Sequence, residues 1–243
     1  MSGSGEPVWE PVARPRAHEL VIAAIEAQIT GGMLRVGDPL PPERELAARL
    51  AVSRAGVREA VRVLEGQGVL RSRVGSGTEA GTFVAALPDA ALTRFLRLHV
   101  ALANFPVADV VASRVGLERT AAASAASHGD DAAFDAMADL LDRMEAPGIT
   151  RAEFNDADAD FHIAIAAASG NRLAASMTTA IRGALRDPLL EAIVAVADWD
   201  AVADELRRQH RAILAALRAG EAAGVAELTE QHIRYAADAL PLG

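Results

Sequence analysis

The chain has 243 residues, of which 51% are apolar, with no cysteine and a formal net charge of −9. That length allows two domains with cores of their own, the missing thiols exclude disulfides and thiolate zinc sites, and no apolar run approaches the ~18 residues of a membrane span. With a polar MSGSGEP start that lacks the pattern of a signal peptide, a soluble cytoplasmic protein with no membrane partner is expected.

Aromatics make up only 4% of the residues, so the core must be built from Ala, Val, Leu and Ile, which favours closely packed helices. The charge is unevenly spread. Residues 1–84 hold ten arginines and ten acids, and residues 85–243 hold fourteen arginines against 23 acids. Between Pro41 and Gly75, seven arginines face four acids. A local basic footprint beside an acidic remainder suits two domains with different tasks and discourages non-specific spreading over nucleic acid.

In chain order, residues 1–16 contain three prolines and Trp9 in a polar run and are expected to form a flexible arm. The segment 18–30 (HELVIAAIEAQIT) predicts a helix stopped by Gly31-Gly32. Leu46, Ala47 and Leu50 recur at helical spacing behind Pro41-Pro42, which suit a helix start because the N–H that proline lacks has no partner there anyway. Ser53 predicts an N-cap for a second helix, with Val57, Val61 and Leu64 on one face and Arg54, Arg58 and Arg62 on an adjacent strip. Gly66 and Gly68 end it. Two strands, 69–73 and 82–84, joined through Gly75-Ser76-Gly77, complete a winged helix-turn-helix. In that geometry Arg54 and Arg58, at the start of the second helix, face base edges.

These residues resemble the DNA-binding domain of the GntR family of bacterial transcription regulators over residues 17–86. The matching elements are GDPLPPERELA (37–47), VSRAGVREAVRVLE (52–65), GVL (68–70) and GTFV (81–84). The resemblance implies a homodimer on a short palindromic operator with a GT…AC core. It assigns Arg44 a base or backbone contact, the alternative being an ion pair with a neighbouring acid, and places the wing at Gly75 in the minor groove. The chain departs from the family at Gly56, where proline is common, so the helix start is expected to be less rigid. It departs again at Thr78-Glu79-Ala80, which lengthens the wing and adds an acid that cannot favour phosphate.

From 87 to 243 the pattern is helical almost throughout, without β alternation. Helices are predicted over 89–104, 107–128, 130–145, 150–169, 172–197, 199–219 and 221–239, making an all-α antiparallel bundle and a mainly α protein overall. Asp158 and His162 stand four apart on one face, flanked by Phe154, Phe161 and Ile165. His210 is in phase with Leu206, Ile213 and Leu217, and His232 with Val225, Leu228 and Tyr235. The last two helices form a hairpin about Gly220. His210 stands ten residues before that turn and His232 twelve after, so the two rings meet at similar height. A lone histidine on an apolar face is usually a core residue, but one carboxylate and three imidazoles on inward faces can converge on a divalent first-row metal with open positions.

This half resembles the FCD effector domain of FadR-type GntR regulators through DADFHIAIAAASGN (158–171), QHRAILAAL (209–217) and the late His232. The resemblance implies that Asp158, His162, His210 and His232 hold a divalent cation, with zinc the first candidate and nickel or manganese as alternatives. A small organic acid is the expected effector, ligating the open positions. Arg114 either clamps its carboxylate bidentately or pairs only with Glu118. Asn171 either lines the pocket or belongs, within SGN, to a helix C-cap. His18, His99 and His128 have no predicted partner.

A regulator governed by a carboxylate metabolite is therefore expected. A regulator with a purely structural metal is the first alternative. A metal-dependent enzyme fits less well, because no further carboxylate or nucleophile is tied to the site. An acyl-CoA sensor is disfavoured because the sensors of that kind lack the metal histidines.

Overall fold

The computed structural model describes residues 16–75, 80–85 and 89–241. The arm before Arg16, the wing tip with Gly77, Thr78 and Glu79, and the boundary at Pro88 lie outside the described residues. The chain divides into two compact units, Met1–Pro88 and Asp89–Gly243.

The first unit holds α1 (Ala17–Thr30), α2 (Glu43–Arg49), α3 (Arg54–Gly66), β1 (Leu70–Arg73) and β2 (Gly81–Val84). Ser53 caps α3 as expected, its Oγ accepting from the Gly56 N–H at 3.1 Å. Gly56 serves a close approach, because a Cβ there would lie 2.9 Å from Ala17 Cβ at the start of α1. The strands pair antiparallel, Leu70 opposite Val84 and Arg73 opposite Gly81. Val57, Val61 and Leu64 of α3 are buried with Val21, Ile25, Leu70 and Val84 in one core. The apolar stripe of α3 therefore faces inward and its arginine strip faces solvent.

The second unit is a bundle of α4 (Asp89–Ala101), α5 (Val107–His128), α6 (Asp131–Glu145), α7 (Arg151–Ala168), α8 (Arg172–Ala195), α9 (Trp199–Arg218) and α10 (Ala222–Ala239). Start signals are local. Thr150 and Glu153 form a reciprocal capping box on α7, and Asp130 and Asp198 cap α6 and α9. Gly220, at φ 71°, turns α9 into α10 in a conformation that L side chains disfavour. α10 packs on α5 and α9, and α7 on α8 and α6, so the helices carrying Asp158, His210 and His232 enclose one interior. Alanines at 121, 122 and 125 let α5 lie close against it. α8 continues through Pro188, which removes one ladder hydrogen bond. Buried Asn155 of α7 donates its Nδ2 to the nearby Arg186 carbonyl at 3.1 Å.

Candidate metal centre and nucleic-acid interface

Asp158 and His162 come from successive turns of α7, His210 from α9 and His232 from α10, and one ligand atom of each lies within 4.8 Å of all the others. His162, His210 and His232 are no more than 2% exposed. His210 Nε2 is 3.1 Å from Asp158 Oδ1, and the Nε2 atoms of His162 and His232 are 3.9 and 4.0 Å from that oxygen. The rings of His210 and His232 stand 4.3 Å apart at their centres, as the hairpin register predicts.

Burial, followed by the charge of Arg182, pushes His162 down to about 4. Burial and the neighbouring imidazoles hold His232 well below its ordinary value. Burial alone raises the Asp158 carboxyl, but Arg182 and the adjacent rings outweigh it and hold it well below the usual carboxylate range. Neutral imidazoles beside an ionised carboxylate are the protonation states that a metal requires.

The residues fit a divalent ion. Neither ring nitrogen of fully buried His210 makes a geometrically satisfied hydrogen bond among the described residues, although Nε2 stands 3.1 Å from Asp158 Oδ1. Such an orphaned polar group is costly unless something else satisfies it. Bonds of about 2.0–2.2 Å to one ion place its ligands roughly 3–4 Å apart, close to the separations found. When bound, the ion supplies a Lewis-acid centre with positions left for an oxygen ligand.

A second layer surrounds the four. Arg182 of α8, 2% exposed, donates from Nε and Nη2 to both oxygens of Glu118 at 3.1 and 2.7 Å and from Nη1 to Asp158 Oδ2 at 2.8 Å. Arg114 Nε donates to Glu118 Oε1 at 3.1 Å, and it also lines a cavity of about 20 Å³ with Asp158, Arg182 and His232. The pairing and the pocket position of Arg114 thus coexist. Sequence reasoning missed Arg182. Its signal was an arginine in phase with Thr178, Leu185 and Leu189, all buried. Asn171 stands at the start of α8 and not at a helix C-cap, the C-cap of α7 being Ser169. It is exposed and caps the start of α8, its Oδ1 accepting from the Leu173 and Ala174 N–H groups at 3.1 Å. Its acceptor is committed to the helix end.

In the first unit Arg44, Ser53, Arg54, Arg58 and Gly75 are all exposed. Arg44 and Arg54 make no ion pair among the described residues. The ion pair weighed for Arg44 falls on Arg58 instead, which donates from Nε and Nη2 to the Glu43 carboxylate at 3.0–3.4 Å.

The model of the FCD domain matches residues 109–235, and that of bacterial regulatory proteins of the gntR family matches residues 17–79. The chain belongs to the GntR family. It carries a gntR-type DNA-binding domain followed by an FCD domain. It is 31% identical over 216 residues to the HTH-type transcriptional repressor NanR of Cronobacter sakazakii, covering 86% of this chain and 79% of that protein. It is 32% identical over 160 residues to the Glc operon transcriptional activator of Escherichia coli K12, covering 64% of this chain and 61% of the activator's length. The fold is shared with a Streptococcus agalactiae GntR structure at 23% identity and TM-score 0.59, over 90% of this chain and 97% of that one. These relatives are transcriptional regulators, not enzymes, and one is an activator where another is a repressor. No helix among the described residues is long and apolar enough to cross a membrane.

Proposed function

We propose that this protein is a DNA-binding transcriptional regulator whose operator affinity is set by a small carboxylate ligating a divalent metal in the helical domain. The observation that carries this reading is the buried convergence of Asp158, His162, His210 and His232 beside Arg114. Zinc suits three imidazoles and one carboxylate; nickel and manganese are the alternatives. Arg44, Arg54, Arg58 and the Gly75 wing meet a palindromic operator, with Ser53 holding the start of α3. A homodimer supplies the second half-site. Its contact is assigned to Phe95, Leu98 and Leu102, which are 51–69% exposed on one face of α4 and its final turn. Their steps of three and four residues put them on one side of the helix, where a second copy of the same surface would cover them.

At about 20 Å³ the cavity beside Asp158 and His232 has room for about one water. A sugar acid or hydroxy acid therefore enters only if the surrounding helices shift, and that shift is the element whose two states the effector distinguishes. A tenfold change in operator affinity requires about 1.4 kcal/mol of coupling, and operator must weaken the effector by the same factor. The test is a thermal-shift screen of carboxylic acids on zinc-loaded protein, then operator titration with each hit. Arg114→Ala should weaken the hit and spare the metal. Hits that bind metal-free protein equally well, or leave operator affinity unchanged, make the metal structural.

A further inference from the structure

We propose that Gln209 and Glu205 of α9 are positioning residues that fix which nitrogen of His232 carries its proton, while Glu118 does the same for His162. Two imidazole lone pairs are then aimed at one point before any ion arrives. The inference rests on the reading of Asp158, His162, His210 and His232 as a metal centre.

The two ends of a glutamine amide are told apart only by their partners. Gln209 places one end 2.7 Å from Glu205 Oε1. Arg208 donates from Nε and Nη2 to both oxygens of Glu205, and this pairing holds the carboxyl down to about 2, so it is ionised and can only accept. The end facing it is therefore the NH2 group, and the other end is the carbonyl. That carbonyl oxygen lies 3.0 Å from His232 Nδ1. It too can only accept, so Nδ1 of His232 carries the proton.

His162 is set from the opposite side of the bundle. Its Nδ1 stands 2.9 Å from Glu118 Oε2. Both Glu118 oxygens already accept from guanidinium groups, Oε1 from Arg182 and Arg114 and Oε2 from Arg182, and a nitrogen 2.9 Å from a carboxylate held in that way is the protonated one. A neutral imidazole has one ring proton, so Nε2 is bare in both residues. These two Nε2 atoms face each other at 3.1 Å. The distance is that of a hydrogen bond, yet neither side has a proton to share. Two lone pairs at that separation repel, and a cation near both converts the repulsion into attraction. Metal–nitrogen bonds of about 2.0–2.1 Å put two imidazoles roughly 3.0–3.4 Å apart on one ion, which includes the spacing found.

His210 is held differently. No hydrogen-bond acceptor among the described residues fixes its ring, which packs against Phe161 at 4.9 Å and His232 at 4.3 Å. Gln209 precedes it in the chain, so α9 both presents one ligand and aims another that belongs to α10. Outer-shell acceptors of this kind orient a ligand ring and raise its basicity.

The experiment has two arms. Imidazole ¹⁵N–¹H correlation spectra of the metal-free full-length protein read the tautomers directly. Zinc affinity is measured by chelator competition in the parent, in Gln209→Ala, and in the exchanged pair Glu205→Gln/Gln209→Glu, which keeps an acceptor facing His232. We expect Nδ1–H in both His162 and His232 of the parent. Gln209→Ala should weaken zinc about 10- to 100-fold and release His232 from the Nδ1–H form, and the exchanged pair should restore both. An Nε2–H tautomer of His232 in the parent overturns the proposal. So does undiminished zinc affinity in Gln209→Ala, or an exchanged pair that restores neither property. If the parent takes up no zinc, the metal reading fails, and the tautomers of the metal-free protein still decide this inference on their own.

Discussion

Arg182 makes the sharpest test of how the helical domain is held together. Its guanidinium is 2% exposed and satisfies Glu118, itself 4% exposed, and Asp158 through three hydrogen bonds. Arg114, Arg182, Glu118 and Asp158 sum to no net charge; Arg182→Met keeps the bulk of the side chain and leaves one buried negative charge uncompensated. Breaking a buried pair from one side costs about 3–5 kcal/mol, because the abandoned partner remains desolvated. In a domain of this size each kcal/mol moves the melting temperature by about 2–4 °C, which predicts a fall of about 6–20 °C. The assay is thermal unfolding of metal-free protein followed by Trp199 fluorescence in a Trp9→Phe background. Trp199 is buried edge-on against Phe154 at 5.2 Å and reports the loss of this core. Arg182→Met/Glu118→Gln should recover much of the loss, since the stranded charge is gone. A single variant melting within about 2 °C of its parent refutes the account, because the carboxylates would then be satisfied by something other than Arg182.

Purified protein should carry close to one divalent ion per chain, chelation should lower its melting temperature by mass-action linkage, and His210→Ala should remove most of the metal; elemental analysis finding none after reloading with zinc, nickel or manganese leaves a histidine core without an ion. Stability of the metal-free domain should fall as pH drops from 6.5 towards 4. His162 is about 4 when folded against an ordinary value of 6.5, so the unfolded chain takes up the proton first, at a cost of about 3 kcal/mol from this group. Glu118 and Asp158, held below the usual carboxylate range, continue the loss at lower pH; urea unfolding that is flat between pH 7 and 4.5 contradicts this. Arg58→Ala should relax discrimination at one operator base pair by about 1–3 kcal/mol, and Glu43→Gln, which frees Arg58, should tighten binding to any duplex with a steeper salt dependence; unchanged titrations would dismiss both roles. Leu98→Glu should shift the protein from dimer to monomer in sedimentation, and an intact dimer would move the contact away from α4.

Local signals in the chain were strong enough to place most elements. Ser53, Thr150 and Asp130 are caps whose side chains act within three residues, so their effect is visible without tertiary contacts. The four-residue step from Asp158 to His162, and the register of His210 and His232 about Gly220, depend only on helix geometry and the sharpness of one turn. Asn171 shows the limit. Its sequence context allows a C-cap or a pocket wall, and the start of α8 at Arg172 makes it an N-cap instead.

By itself, then, the sequence determined that a winged helix precedes a helical bundle, and that one carboxylate and three imidazoles face the bundle's interior, because both follow from short-range periodicity and turn chemistry. Tertiary structure alone decided what those groups meet. Arg182 lies 64 residues from Glu118 and 24 from Asp158 along the chain, and Gln209 lies 23 from His232. Arg58 finds Glu43 across 15 residues. No periodicity encodes such partners. They are chosen by which helix faces pack together, and by the cost of leaving a charge or a lone pair buried without one.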